Sequence, residues 1–178
     1  MQQRLYLRPE PQGQRAFRET GICENTGCDA RSATKRSTES RTATRLFVET
    51  SGWYALIDRR DAWHANAAQQ VATLLDARGR LVTTDYVVDE SCTLARARAG
   101  CVAANRLLDV SKQTGALDWG WIGAERFARA EVCFRKHSDH GYSFTDCTSF
   151  VVMRELKLAR VLANDAHFTQ AGFEPTLS

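Results

Sequence analysis

From Leu46 onward the chain alternates short apolar runs with longer stretches of helical periodicity, and this alternation restricts the fold more than any other feature. LFVE at 46–49, LVTT at 81–84, LDWGWI at 117–122 and ARVLAN at 159–164 each read as a strand. Helical segments fill the intervals at 51–58, 61–78, 85–100, 101–115, 123–137 and 143–158. Asp61 is placed to cap the second of these, in which Ala67, Val71, Leu74 and Leu75 recur at helical spacing. Gly79, Gly100 and Gly115 supply helix stops. The segments 85–100 and 101–115 are consecutive, as in a helical hairpin. Strands alternating with helices predict an α/β fold, a three-layer α/β/α sandwich around a mainly parallel sheet. Pro175–Ser178 is expected to add an edge strand.

Residues 1–45 follow a different rule. Their large aliphatic and Phe residues are limited to Met1, Leu5, Leu7, Phe17 and Ile22, and they include the Ser/Thr/Arg-rich run ARSATKRSTESRTATR. So little apolar surface does not offset chain entropy, and a disordered basic tail is expected ahead of a single domain at 46–178. Two further readings of the tail stay open: an RNA-binding arm, and a start assigned too far upstream, with translation beginning near Leu46 or Val48. The tail carries nine Lys and Arg against five Asp and Glu, whereas residues 46–178 carry 15 against 16. The domain is therefore not broadly basic, and any contact with nucleic acid must come from a local patch. No apolar run is long enough to span a bilayer and the first residues lack a signal-peptide core, so a cytoplasmic protein without a membrane role is expected. Six Cys at irregular spacing do not form a disulfide framework.

In open α/β sheets ligands gather at the carboxyl ends of the strands. Glu49 closes the first strand, Asp165 follows the last long one, Asp146 opens a helix, and Asp89 and Glu90 lie one turn into the helix after the second strand. Adjacent helical positions differ by about 100°, so only one of Asp89 and Glu90 can point inward. Four carboxylates from four segments repel unless a cation lies between them. Oxygen donors favour Mg²⁺ or Mn²⁺, the ions of phosphodiester hydrolysis. Each acid also has a plainer reading: Asp146 as a helix cap, Asp165 as a turn residue, Glu90 as a solvated helix residue. Glu49 is the hardest to dismiss, because a carboxylate closing a buried strand must be solvated, paired or bound to metal.

The motifs LFVETSGWYALID, LVTTDYVVDES, YSFTDCTSFVVM and LANDAHFTQAGFEPTL, in that order and spacing, resemble the PIN-domain family. They look most like the VapC-type toxins of toxin–antitoxin pairs. The resemblance covers about residues 46–178. It implies a Mg²⁺- or Mn²⁺-dependent endoribonuclease, the toxin of a type II pair, with RNA as substrate, a cognate antitoxin protein as partner, and a homodimer. Matched position by position, the family's four acids fall on Glu49, Glu90 (rather than Asp89), Asp146 and Asp165. Ser51 matches the small hydroxyl residue that orients the first acid or binds phosphate. The implied reaction leaves a 5′-phosphate and a 3′-hydroxyl. Whether the four acids hold one ion or two stays open.

One departure stands out. The family's first acid is normally Asp, and Glu49 extends the carboxylate by about 1 Å, beyond the ~0.5 Å tolerance of a preorganised site. Weaker metal binding and slower turnover are expected. The departure also keeps alive a catalytically weakened PIN-fold binding module, beside a PIN nuclease outside toxin–antitoxin systems. For substrate binding, Arg96 and Arg98 are the basic candidates, together with Arg106, Arg59 and Arg60. Trp53 is the aromatic candidate beside Glu49, whereas Trp119 and Trp121 share strand parity and are expected to pack on one face.

Overall fold

The computed structural model describes residues 44–177. The tail expected at 1–45 lies outside them apart from Thr44 and Arg45, and Arg45 already belongs to the first strand. In chain order the elements are β1 (Arg45–Val48), α1 (Thr50–Ile57), α2 (His64–Asp76), β2 (Arg80–Thr83), α3 (Asp85–Ala99), α4 (Cys101–Gln113) and β3 (Leu117–Trp119). They continue with α5 (Ala124–Lys136), α6 (Phe144–Glu155), β4 (Arg160–Leu162), α7 (Ala166–Gln170) and β5 (Glu174–Pro175). The strands form one sheet in the order β3-β2-β1-β4-β5. Every neighbouring pair is parallel, so the expected mainly parallel sheet is wholly parallel in the described residues.

This order fixes the layers. The chain moves from β1 through β2 to β3, then returns to the far side of β1 for β4 and β5. Right-handed crossovers then put α1–α4 on one face and α5–α7 on the other. The close packing of α3 on α4, the expected helical hairpin, and of α5 on α6 agrees with this. Buried between the layers, β1 reads as a continuous apolar run, with Phe47 registered between Val82 of β2 and Val161 of β4. Because the winding reverses at β1, the carboxyl ends of β1 and β4 border the crevice where such sheets bind ligands.

Three local expectations are corrected. Asp61 does not cap α2: its Oδ1 accepts from the Trp63 N–H at 2.8 Å, forming a turn, and α2 starts at His64 behind Trp63, which makes no side-chain cap. The strand expected over 117–122 stops at Trp119: the Gly120 N–H donates the last rung of the β2–β3 ladder to the Thr83 carbonyl at 2.8 Å, and residues 121–122 are not in a strand. The Trp119 and Trp121 rings still stack, 4.9 Å apart at 15°. A short helix, α7, occupies 166–170, where none was expected. It is held by Phe168, which is buried edge-on against Phe150 of α6 at 5.1 Å. No helix of the described residues is long and apolar enough to cross a membrane.

Candidate active site

Each candidate acid is set by a local device at the carboxyl end of the sheet. Glu49 is the N-cap of α1, and its Oε2 accepts both the Ser51 N–H (2.8 Å) and the Ser51 hydroxyl (2.7 Å). Asp146 is the third residue of a capping box: its Oδ2 accepts the Ser143 N–H at 2.8 Å, and Ser143 Oγ accepts the Asp146 N–H at 3.0 Å. Asp165 caps α7, its Oδ1 accepting the His167 N–H at 2.9 Å. Glu90 Oε2 accepts the Thr50 hydroxyl at 2.7 Å, which ties α3 to the residue after Glu49. In every case one oxygen is clamped, and no protein donor among the described residues reaches the other. Capping and an inward-facing role, opposed readings of Asp146 at the level of sequence, hold together here.

The fold brings two of the four acids, Asp146 and Asp165, together with His167. A carboxylate oxygen of Asp146, one of Asp165 and a nitrogen of His167 lie within 4.8 Å of one another. Glu49, only 5% exposed, is near enough to feel both aspartates. Burial carries its pKa from 4.5 up to about 7; the Ser51 bonds oppose this, and the Asp146 and Asp165 charges add to it. Burial also raises Asp146, against the Ser143 bonds, with the Asp165 charge adding to the rise. Glu49 and Glu90 both stay outside this tight group; Glu90 is tied through Thr50 to the residue after Glu49, whereas Asp89 is exposed. No Lys or Arg among the described residues pairs with any of the four acids. The His167 imidazole is the one basic group beside these acids among the described residues, and the buried Glu49 and Asp146 carboxylates are tolerable if protonated or neutralised by a cation. The donor set, hard oxygens and one imidazole, suits a divalent metal.

Two features let these ends approach. A Cβ on Gly52 would sit 2.1 Å from the Leu162 carbonyl oxygen, so only glycine lets the first turn of α1 lie against β4. The Asn164 N–H then reaches Ser51 Oγ at 3.0 Å, which joins the segment after β4 to the residue that grips Glu49. With its hydroxyl donating to Glu49 and accepting from Asn164, Ser51 orients the acid.

Trp53 does not line a groove. It is 1% exposed, and its Nε1–H donates to Thr83 Oγ1 at 3.0 Å, which in turn donates to the Val48 carbonyl at 2.9 Å. This chain locks α1 to β1 and β2, so the residue is a core anchor and offers no ring face to a base. Arg96 and Arg98, in the last turn of α3, are exposed and have no carboxylate partner among the described residues. Arg98 lies over the Tyr54 ring at 5.6 Å, and Arg96 contacts Cys101 Sγ at 3.4 Å. Arg60, by contrast, is engaged by Asp58. His167 is the residue that sequence reasoning missed; its only signal was an imidazole two positions after a strand-terminal acid.

A wholly parallel α/β sheet with acidic side chains gathered at its switch point is an arrangement suited to binding a ligand or cation there. The PIN domain profile matches residues 46–174, and the chain belongs to the PIN-domain family. It is 32% identical over 128 residues to the 23S rRNA-specific endonuclease VapC20 of Mycobacterium tuberculosis, covering 72% of this chain and 95% of that one. It is 27% identical over 125 residues to a VapC ribonuclease of Archaeoglobus fulgidus, covering 69% of this chain and 78% of the relative. The crystal structure of M. tuberculosis VapC20, described as a Sarcin-Ricin loop cleaving toxin, superposes with a TM-score of 0.65 at 31% identity over 72% of this chain and 95% of that one.

Proposed function

We propose that this chain is a divalent-metal-dependent endoribonuclease, the toxin of a type II toxin–antitoxin pair acting in the cytoplasm, with Glu49, Glu90, Asp146 and Asp165 as its catalytic acids. The observation that carries the reading is the meeting of Asp146 and Asp165 with His167, beside a buried Glu49 whose carboxyl their charges reach, with no Lys or Arg among the described residues paired to these acids. Kinship with VapC ribonucleases over most of their length supports the same reading. A bound Mg²⁺ or Mn²⁺ would supply a water of lowered pKa and neutralise charge on the scissile phosphate. Asp146, Asp165 and Glu49 are the residues to hold it, each with one oxygen fixed and one free. Ser51 and Thr50 keep the Glu49 and Glu90 carboxylates from rotating away. Arg96 and Arg98, exposed and without a carboxylate partner among the described residues, would receive backbone phosphates on this reading.

The relative's printed target makes a sarcin–ricin stem-loop the first substrate to test, beside a mixed RNA pool. Full-length protein is expected to cleave RNA with Mg²⁺ or Mn²⁺, to stop in EDTA, and to leave 5′-phosphate ends. Asp146→Ala is expected to abolish cleavage while the fold survives. A 2′,3′-cyclic phosphate product, or metal-independent cleavage, would overturn the mechanism. A second reading is favoured by one observation, the Glu at position 49: a weakened nuclease that acts mainly by binding. On that reading wild type binds RNA without cutting it, and Glu49→Asp restores cleavage.

A further inference from the structure

The imidazole of His167 sits where its backbone puts it. Asp165 caps α7 through the His167 N–H, and this turn folds the ring back over the capping carboxylate. Nδ1 then lies 3.3 Å from Asp146 Oδ2 and 3.5 Å from Asp165 Oδ1. Tyr142 meets the ring edge-on at 5.4 Å, and buried Phe168, the next residue, pins the helix to α6. Although the side chain as a whole is partly exposed, Nδ1 is buried and makes no hydrogen bond. Neither aspartate contact has hydrogen-bond geometry.

A buried ring nitrogen without a partner is costly in an ordinary packing role. In the tautomer protonated at Nε2, Nδ1 presents a lone pair to the same small volume that the Asp146 and Asp165 oxygens border. That is a donor set for a cation. Mg²⁺ strongly prefers oxygen ligands and gains little from imidazole, whereas Mn²⁺ accepts a nitrogen ligand more readily. We infer that His167 is a direct nitrogen ligand beside Asp146 and Asp165, and that it biases this centre towards Mn²⁺ over Mg²⁺. The inference rests on the reading of the acidic cluster as the metal centre.

The test is pulsed electron paramagnetic resonance of full-length protein loaded with Mn²⁺, together with calorimetric titration of Mn²⁺ and Mg²⁺. Wild type is expected to give a ¹⁴N coupling of directly bound imidazole, and His167→Gln to lose it. Mn²⁺ affinity should fall about tenfold or more in His167→Gln, with a much smaller change for Mg²⁺. His167→Asn, which offers an oxygen near the Nδ1 position, should recover part of the Mn²⁺ affinity without the ¹⁴N signal. Mn²⁺ bound to wild type without ¹⁴N coupling, or equal losses for both ions in His167→Gln, would overturn the ligand role and leave the metal centre standing. No Mn²⁺ binding by folded wild type would overturn the metal centre itself, and this inference with it.

Discussion

Glu49 concentrates the energetic cost of the site in one side chain. Between pH 4.5 and about 7 the folded chain holds a proton on Glu49 that the unfolded chain has released. Stability from this group is therefore fullest below pH 4.5 and declines as pH rises to about 7. The shift corresponds to roughly 3 kcal/mol at most. A divalent ion, which requires the ionised carboxylate, opposes this loss. In EDTA, urea unfolding of wild type is expected to lose stability relative to Glu49→Gln between pH 4.5 and 8, because Gln has no proton to release. A difference between the two proteins that stays constant with pH would refute this reading. At this scale much was legible. A carboxylate ending a buried strand needs a reason, and the positions of Glu49, Asp146 and Asp165 could be matched before any geometry was known. Trp53 is near Glu49 in sequence but not exposed beside it, because the turn of α1 buries it against Thr83. His167 escaped notice because one His after an acid is common in turns, and its meaning comes only from Asp146 on another element.

Among the elements, α1 depends most on a single atom's absence. Its first turn lies on the β4 backbone, and the Ser51–Asn164 bond exists because Gly52 has no side chain. Gly52→Ala must push α1 away from Leu162, at about 1–3 kcal/mol of overpacking. The larger effect should be on cleavage, since displacing Glu49 by about 1 Å is worth on the order of 10²-fold in rate. Gly115→Ala, where nothing lies within 4 Å of the added carbon, is the matched control and should change neither. Equal cleavage by the two variants would show that the close approach does not set the site. Helical periodicity located α1 to α6 to within a few residues, because each carries an apolar stripe and a cap or stop. It failed for α7, whose five residues bury Phe168 but are too few to show a period. It also overextended β3, since the apolar WGWI reads as strand although the β2–β3 ladder ends with the Gly120 N–H.

At the scale of the whole molecule, alternation alone identified an α/β sandwich but not the strand order. Insertion of β4 beside β1 depends on contacts between residues more than 100 positions apart, such as Phe47 with Val161. The same assembly leaves two apolar surfaces uncovered, one in each helical layer. On α4 these are Val102 and Leu108; on and beside α5 they are Trp121, Phe127 and Phe134, while Val132, 67% exposed, lies on the opposite flank of α5. The α5 surface is the larger and more aromatic, with Phe127 and Phe134 both leaning on Phe144. Most of its charges are already matched, Arg126 and Arg129 with Glu155 and Arg135 with Glu131. A two-fold contact sets the same patch against itself, which such internal pairing permits without stranding like charges. The homodimer implied by the sequence resemblance is thus expected through α5. Sedimentation of wild type should give a dimer at micromolar concentration. Phe134→Glu should give a monomer with only a small drop in the unfolding midpoint, since the ring is 44% exposed in the single chain. Val102→Glu, on the opposite layer, should leave the dimer intact and serves as the control. A wild-type monomer, or a dimer that survives Phe134→Glu but not Val102→Glu, would place the contact elsewhere and free the α5 face for a different partner.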